Sequence, residues 1–331
     1  MVRGGAAAAH PLRYPLIMPL VSVITTAYNA ERSIGQAIET VLQQTHTDWE
    51  LIVVDDASTD ATVSVVQKYT DPRIRLLQHT RNLGPAAGRN RALEVAQGDW
   101  ITVLDADDEY EPTRLERLLR TAEMLNVALI YDVYRQIDAD TGEPLGVFFS
   151  AHAPTPTEPT RLTPIEAIRA HLALKPFFRR DLLVQSGLRY REDITLGEDY
   201  LFQTLLTLEA GGCGVLPEPL YRYRMHRGST YRRHFFDLSQ PLRVYQTLFS
   251  HPQVRADALL RRALVEDYRR IMWARAYPQF ADALKRRDWR KAWSVYRVYP
   301  RVIIHLIQSL PVALWRRLRG ENTHYDWEAF R

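Results

Sequence analysis

The sequence predicts an α/β protein with a doubly wound, mostly parallel sheet flanked by helices and followed by a helical C-terminal extension. In the first half of the 331-residue chain, short β-branched and apolar runs alternate with segments whose apolar residues recur at helical spacing. This alternation is typical of parallel crossover units. Polar residues follow the predicted strands, and ligands of such sheets bind beyond the carboxyl ends of the strands. Both observations place a binding site at one edge of the sheet.

The elements of this half are assigned in chain order from their apolar patterns and end signals. Ser58 or Thr59 is expected to cap the second helix, and Gly98 to close the third. The predicted order is strand Leu20–Ala27, a helix through Ile34–Leu42, strand Leu51–Val54, helix Thr59–Tyr69, strand Ile74–Leu77, helix Ala86–Ala96 and a strand that begins at Ile101.

The composition indicates a globular protein with a sizeable core. Hydrophobic residues make up 46% of the chain, and no stretch reaches about 18 apolar residues, so we expect no membrane span. The single cysteine, Cys213, cannot form an intrachain disulfide, which favours a cytoplasmic location. Residues 1–19, rich in alanine and interrupted by prolines, are interpreted as a loose leader rather than a signal peptide.

Basic residues concentrate at the C-terminus. The net charge is +4, but residues 251–331 hold 17 Lys and Arg against 8 Asp and Glu. Within 289–319, apolar and aromatic residues such as Trp289, Trp293 and Trp315 are flanked by arginines. This pattern favours a helix in the interface of an anionic membrane, hence peripheral attachment at the inner face of the plasma membrane. The alternative is that the segment packs on the predicted α/β domain. No motif that reads nucleic acid is found, so no such partner is expected.

The most informative feature is a buried strand that ends in three carboxylates, Asp105, Asp107 and Asp108. A strand alternates its side chains, so Asp105 and Asp107 leave it on the same side, about 6 to 7 Å apart. Mg²⁺ and Mn²⁺ prefer oxygen ligands of this kind and usually share them with substrate phosphates. The feature therefore predicts a metal site and a phosphorylated substrate. The alternative is an acidic loop that caps the next helix, a role that stays open for Asp108 near Pro112.

Polar residues also follow the other predicted strands, at the same edge of the sheet. In strand order they are Tyr28 and Asn29, Asp55 and Asp56, and Arg81 and Asn82. The segment after the first strand has neither the G-x-G-x-x-G of dinucleotide-binding folds nor the G-x-x-x-x-G-K-[ST] of P-loop enzymes. Both of those phosphate-binding motifs are therefore excluded.

In the second half, Glu198 and Asp199 open an apolar helix that lies beyond a Pro- and Thr-rich linker near Ala151. Carboxylates at a helix N-terminus are a normal capping arrangement, so alone they indicate only a helix start. Five segments, however, occur in a characteristic order: V-S-V-I-T-T-A-Y-N, V-V-D-D-A-S-T-D, N-L-G-P-A-A-G-R-N-R-A-L, L-D-A-D-D and G-E-D-Y-L-F. This order resembles that of the family 2 glycosyltransferases with the GT-A fold, over about Val21 to Ser229.

The resemblance implies an inverting enzyme of polysaccharide synthesis that moves a sugar from a nucleotide-diphosphate donor, a UDP-sugar above all, to a glycan or lipid-linked acceptor. It also implies Mn²⁺ or Mg²⁺ as cofactor. Processive members carry Q-x-x-R-W, whereas the nearest match here, Gln240–Val244, ends in valine, so we expect addition of single sugars. Two alternatives stay open, a sugar-nucleotide pyrophosphorylase and a non-catalytic nucleotide-sugar-binding protein. The first should show a Gly-rich N-terminal signature with basic residues, and Val21–Ile34 lacks one.

The same resemblance implies the site residues. Asp199 matches the general base that takes the proton of the acceptor hydroxyl. Asp56 matches the carboxylate that accepts a hydrogen bond from the nucleotide base. The metal ligands correspond to Asp105, Asp107 and His226. The remaining donor-site residues are Thr26, Ala27, Tyr28, Arg81, Arg89 and Ala106.

The resemblance also divides the chain into regions. Residues 1–19 precede a GT-A catalytic domain at 20–230, with a donor half at about 20–135 and an acceptor half at about 136–230. Residues 231–331 are expected to form a basic, aromatic-rich helical region.

Overall fold

The computed structural model describes residues 19–225 and 237–304. The strands in these ranges are β1 (Val21–Ala27), β2 (Trp49–Asp55), β3 (Ile74–Gln78), β4 (Trp100–Val103), β5 (Glu109–Tyr110), β6 (Leu129–Asp138), β7 (Pro144–Phe148), β8 (Thr160–Leu162), β9 (Pro176–Arg179) and β10 (Cys213–Met225). The helices are α1 (Ile34–Leu42), α2 (Thr62–Val66), α3 (Pro85–Val95), α4 (Arg114–Leu125), α5 (Pro164–Ala170), α6 (Arg180–Ser186), α7 (Glu198–Glu209), α8 (Ser239–Ser250), α9 (Pro252–Ala256), α10 (Ala258–Lys285) and α11 (Trp289–Val298).

These strands form a mixed sheet in the order β3-β2-β1-β4-β9-β6-β10-β5, with β7 beside β6 and β8 beside β10. β1 is parallel to β2 and β4, and β2 is parallel to β3. β9 lies antiparallel between β4 and β6. The predicted α/β fold is confirmed, but the parallel arrangement is confined to the first four strands and the β6–β10 pair. Later strands such as β6 and β7 are joined by a turn, and a turn gives an antiparallel pair.

The predicted elements of the first half are present, with small shifts at their ends. The start of the second helix was predicted wrongly. Neither Ser58 nor Thr59 caps it, because both residues bond to Asn29 in the loop after β1. The N-cap of α2 is Ala61, and the helix ends at Val66.

Two glycines allow α3 and its flanks to approach β1 closely. A Cβ atom on Gly88 would lie 2.6 Å from Cγ2 of Thr26, and one on Gly98 would lie 2.5 Å from the backbone nitrogen of Ser22. Gly98 is therefore needed for packing and is not the predicted C-cap, since α3 ends at Val95 and its C-cap is Ala96, which is extended. The contact at Gly88 holds the first turn of α3 against the end of β1.

The helices after β10 pack on the sheet domain through a second apolar core. Helix α7 contributes Leu201 and Leu205, while α8 and α10 contribute Val244, Leu248 and Leu264. Within the segment 289–319, the described helix α11 packs on α10 through Ala292 and Val295. Membrane contact and packing on the α/β domain both stay predictions for this segment. In residues 19–225 and 237–304, no helix is long and apolar enough to cross a membrane.

Candidate active site

Two interlocked loops form one side of the candidate site, at the carboxyl ends of β1 and β2. Asn29 has a φ of 51° and Ala57 a φ of 61°, left-handed conformations that are uncommon outside glycine. Asn29 donates its N–H to Ser58 Oγ and accepts the N–H of Thr59 through Oδ1, both at 2.9 Å. Strained backbone of this kind persists where the surrounding structure enforces it, and it clusters at functional sites.

Asp56 fastens the next loop to this edge. Its buried carboxylate accepts the N–H of Leu83 (2.9 Å) and a bond from His79 Nδ1 (2.7 Å) on Oδ1, and the N–H of Gly84 (2.7 Å) on Oδ2. The loop between β3 and α3, which carries Arg81, is thereby held over the end of β2. A carboxylate has about four acceptor positions, so its predicted bond to a nucleotide base is compatible with these three.

The remaining predicted donor residues at this edge differ in exposure. Tyr28 is 52% exposed at the end of β1, and its ring is therefore open to stacking. Arg81 is also exposed, Thr26 is half-buried and Ala27 is buried. Tyr28 and Arg81 are thus the side chains of this group that a ligand can reach directly.

Asp105, at the tip of β4, is held by two cations. Its Oδ1 accepts from Arg89 Nη2 at 3.1 Å, and its Oδ2 accepts from Lys175 Nζ at 2.5 Å. Although burial raises the pKa of Asp105, the charges of Lys175 and Arg89 outweigh that effect and lower it to about 2. Asp105 is therefore an ionised carboxylate whose two oxygens are both engaged.

Arg89 joins the strand tip to α7. Besides its bond to Asp105, its Nη1 donates to Glu198 Oε1 at 3.1 Å, and its guanidinium carbon lies 5.3 Å from the centre of the Tyr190 ring. The side chain is 7% exposed. Its predicted role at the donor site stays a prediction, and in the structure the guanidinium engages two carboxylates. Arg89 lies in the second turn of α3 and is one of the buried residues of that helix.

Asp108 anchors β10 and does not cap a helix. Its Oδ2 accepts the hydroxyl of Tyr221 at 2.7 Å, and its Oδ1 accepts the N–H of Arg224 at 2.9 Å. Burial and the charges of Asp107 and Asp105 raise its pKa well above the ordinary value. The capping role that stayed open in the sequence is thus excluded, since α4 begins later, at Arg114.

Glu198 and Asp199 lie side by side in the first turn of α7 but differ in environment. Glu198 is buried against Arg89, and burial together with the charge of Asp199 raises its pKa. Asp199 is half-buried, and its Oδ1 accepts the N–H of Tyr200 at 2.7 Å. Two neighbouring carboxylates with different environments can take different catalytic roles, such as acid and base. Asp199 is the member that is more accessible to a ligand.

The predicted metal ligands are only partly within the described structure. Asp107 is half-buried at the strand tip, two residues beyond Asp105, and Ala106 between them is buried. His226 lies outside the described residues. In the part of the chain that the structure describes, no three His, Cys, Asp or Glu side chains form a group that could hold a metal ion.

Comparison with known proteins identifies the family. The family model "Glycosyl transferase family 2" matches residues 22–172. Over 314 residues the chain is 31% identical to the succinoglycan biosynthesis protein ExoO of Rhizobium meliloti, which covers 93% of this chain and 89% of ExoO. The chain belongs to glycosyltransferase family 2. The pyrophosphorylase and the non-catalytic binding protein are therefore set aside.

Other similar proteins support the family and the fold of this glycosyltransferase. A stretch of 119 residues is 40% identical to WfgD of Escherichia coli, a UDP-Glc:alpha-D-GlcNAc-diphosphoundecaprenol beta-1,3-glucosyltransferase, and covers 36% of this chain and 47% of WfgD. The structure of S. aureus TarS 1-349 in complex with UDP-GlcNAc superimposes with a TM-score of 0.62 and 18% identity, over 85% of this chain and 91% of that one. A mannosyltransferase from Pyrobaculum calidifontis in complex with GDP-Man and Mn²⁺ gives 0.57 and 19%, over 92% and 83%. These structures show that this glycosyltransferase has the GT-A fold.

The structure adds three residues of the glycosyltransferase site that sequence reasoning missed. His79 bonds to Asp56, Lys175 to Asp105, and Tyr221 to Asp108. His79 directly follows β3, so the strand-end pattern was a sufficient signal for it. No local signal marks Lys175 or Tyr221, since their partners lie 70 and 113 residues away in the chain.

Proposed function

We propose that this glycosyltransferase inverts configuration, depends on a divalent metal, and moves one sugar from a UDP-sugar to a glycan acceptor carried on a lipid diphosphate. The observation that carries the proposal is the Arg89 bridge between Asp105 and Glu198. It brings the acidic strand tip, where the diphosphate would bind, to the residue beside Asp199. A base and a leaving-group site on opposite sides of one cleft are what a single displacement requires.

The reaction follows from this arrangement. Asp199 takes the proton of the acceptor hydroxyl as that oxygen bonds to the anomeric carbon. The bond from the anomeric carbon to the diphosphate oxygen breaks at the same time, and the diphosphate leaves with the electron pair. Attack opposite the leaving group inverts the configuration. Glu198, held by Arg89, keeps the first turn of α7 in place.

The acidic tip fits a metal ion that is shared with the substrate. We assign the ion to Asp107, which lies half-buried two residues beyond Asp105 and belongs to the Asp105–Asp107 pair that the family resemblance marks as metal-binding. One carboxylate together with diphosphate oxygens and water is a usual ligand set for Mg²⁺. Such an ion would neutralise the charge that develops on the departing diphosphate. The Mn²⁺ complex of the mannosyltransferase with the same fold supports a divalent metal in this proposal.

The carboxyl ends of β1 and β2, with the loop that carries Arg81, form what we call the donor edge. This edge suits a uridine nucleotide. Tyr28 offers an open ring for stacking, Asp56 an acceptor for the imide N–H of uracil, and Arg81 a nearby positive charge. WfgD takes UDP-Glc, and TarS was crystallised with UDP-GlcNAc, which supports a UDP-sugar here.

The surface of α11 supports a membrane-bound acceptor. Ala292 and Val295 pack this helix against α10, whereas Trp289 and Trp293 on its other side are 66% and 61% exposed. Exposed basic residues such as Arg290 lie beside the tryptophans. Tryptophans flanked by arginines suit the interface of an anionic membrane. The acceptor of WfgD is alpha-D-GlcNAc-diphosphoundecaprenol, a lipid-linked sugar, which is consistent with an enzyme that works at such a surface. Residues 305–319 of the predicted membrane segment lie outside the described structure.

A donor panel tests the proposal. The purified protein is incubated with UDP-glucose, UDP-galactose, UDP-GlcNAc and GDP-mannose, each with synthetic undecaprenyl-diphosphate-linked GlcNAc, and with Mn²⁺, Mg²⁺ or EDTA. We expect release of UDP with one UDP-sugar, loss of that activity in EDTA, and a product whose anomeric configuration by NMR is opposite to that of the donor. Retention of configuration, or full activity in EDTA, would overturn the corresponding part of the proposal.

A further inference from the structure

We propose that Asp267, on the C-terminal helix α10, is a positioning residue for Asp199, so that the C-terminal helices complete the active site. The inference rests on the proposed function, because it assumes that Asp199 is the base. It concerns a residue 68 positions away from the base in the chain and outside the region that matches the family model.

Asp267 is the centre of a buried hydrogen-bond cluster. Its side chain is 0% exposed, and its Oδ2 accepts the hydroxyls of Tyr200, at 2.6 Å, and Tyr245. His171 Nδ1 lies 3.0 Å from the same oxygen, and Arg270 Nη2 is 3.3 Å from Oδ1. Burial alone raises the pKa of Asp267, but His171 and the tyrosine hydroxyls lower it below its ordinary value. The group is thus a buried carboxylate that its neighbours keep ionised.

A gain in stability does not by itself explain why Asp267 is a buried carboxylate. Burying a carboxylate costs several kcal/mol, and well-packed apolar residues often serve stability as well or better. Hydrogen bonds to a buried charge are directional, however, and they hold their partners in one orientation. The partners here come from different elements: Tyr200 from α7, Tyr245 from α8 and His171 from the end of α5.

Tyr200 connects this cluster to the base. It directly follows Asp199 in the first turn of α7, and its N–H donates to Asp199 Oδ1 at 2.7 Å. Its ring stacks on the His171 ring with centroids 4.1 Å apart, and its hydroxyl is bonded to Asp267. Successive residues of a helix point about 100° apart. Fixing the direction of the Tyr200 side chain therefore fixes the rotation of α7 about its axis, and with it the direction of Asp199.

The first turn of α7 is consequently held from two sides. Arg89 bonds to Glu198 on the donor side, and Asp267 bonds to Tyr200 on the side of the C-terminal helices. A displacement of about 1 Å in a reacting group can cost about 10²-fold in rate. Loss of the Asp267 contact should thus reduce turnover more than donor binding, because none of its described partners lies on the donor edge.

The test compares four variants with the UDP-sugar selected by the donor panel. Asp267→Asn keeps the size of the side chain but replaces one acceptor oxygen by a donor amide, and we expect kcat to fall about tenfold or more. The KM for the donor should stay within about twofold, since binding does not involve this contact. Tyr200→Phe should lower kcat in the same direction, and Tyr245→Phe should lower it less, because Tyr245 is not on α7. Asp282→Asn, in an exposed ion pair on the same helix, is the matched control and should leave kcat unchanged.

The outcomes separate positioning from mere stabilisation. A folded Asp267→Asn protein with wild-type kcat, or one that loses only melting temperature, would overturn the inference. Should Asp267→Asn not fold, Tyr200→Phe decides, since it removes a single hydroxyl, and wild-type kcat in that variant contradicts the proposal. Asp199→Asn is measured in parallel. If that variant is as active as the wild type, the proposed function fails, whereas low activity of Asp199→Asn with normal activity of Asp267→Asn defeats only the present inference.

Discussion

Two of the buried ionic groups in the described structure differ in construction. In the core, Arg114 and Asp132 form two parallel hydrogen bonds of 2.9 and 2.8 Å, and neither side chain is exposed. At the site, Arg89 divides its bonds between two carboxylates, and its buried Nε has no partner among the described residues. A closed pair between neighbouring elements is suited to hold a fold together. Arg89, in contrast, joins the two halves of the molecule, and its Nε–H is still available as a donor. Such an arginine is suited to a site where charge changes during a reaction.

The core pair should give the largest effect, and it should be on stability. Arg114→Met leaves Asp132 as an uncompensated buried charge, which typically costs about 3–5 kcal/mol in the free energy of unfolding. Urea denaturation followed by circular dichroism measures this loss. The kcat of the folded fraction should stay within about twofold of wild type. A strong fall in kcat without a change in stability would remove the contrast between the two groups.

Substitution of Arg89 should lower kcat strongly and stability only moderately, the opposite of Arg114. Arg89→Met separates Asp105 from Glu198, and we expect kcat to fall about 10²-fold, because the strand tip and the base helix lose their common partner. Stability should fall less than in Arg114→Met, since Asp105 keeps its bond to Lys175. Arg89→Lys keeps the charge but not the two-pronged geometry, and it should restore only part of the activity. Arg91→Met, on the exposed side of α3, is the matched control. Full activity of Arg89→Met would exclude the bridging role.

Substitution of Tyr28 tests nucleotide binding at the donor edge, which we expect not to depend on a buried ion pair. Stacking of a base on an aromatic ring is worth about 1–3 kcal/mol. Tyr28→Ala should therefore raise the KM for the donor by roughly tenfold, with kcat and stability nearly unchanged because the ring is 52% exposed. Steady-state kinetics and a thermal melt check both statements. An unchanged KM would place the nucleotide elsewhere.

Much of this arrangement could be predicted from the sequence, for physical reasons. Strand ends gather at one edge whatever the details of packing, so the positions of Tyr28, Asp56 and Asp105 followed from local patterns alone. The partners of these residues could not be predicted in the same way. Lys175 reaches Asp105 only because β9 runs antiparallel beside β4, and nothing local in the sequence specifies that pairing.

The helical region shows the same limit. Its helices are visible in the apolar spacing, but their docking on α7 depends on single residues such as Asp267 and Tyr245, which look like ordinary polar and aromatic positions in the sequence. The predicted domain boundary at 230 falls among residues 226–236, outside the described structure, and stays a prediction.

The smallest effect is expected at α11, which contributes no residue to either ionic group. Replacing Trp289 and Trp293 together by alanine should reduce binding to vesicles of phosphatidylglycerol and phosphatidylcholine several-fold. Activity on a water-soluble acceptor analogue should not change. Leu259→Ala, an equally exposed apolar position at the start of α10, is the control and should bind vesicles like the wild type. Equal sedimentation of all three proteins with vesicles would exclude α11 as the membrane contact.

The central claim is that Asp199 is the base and that the residues around it serve to position it. Its most direct test is the single-turnover rate of Asp199→Asn on the bound donor and acceptor, with Asp193→Asn, an exposed carboxylate in the preceding loop, as the control. We predict a fall of about 10²- to 10⁴-fold for Asp199→Asn with donor affinity unchanged, and no change for Asp193→Asn. Near wild-type turnover by Asp199→Asn with normal donor binding would contradict the account.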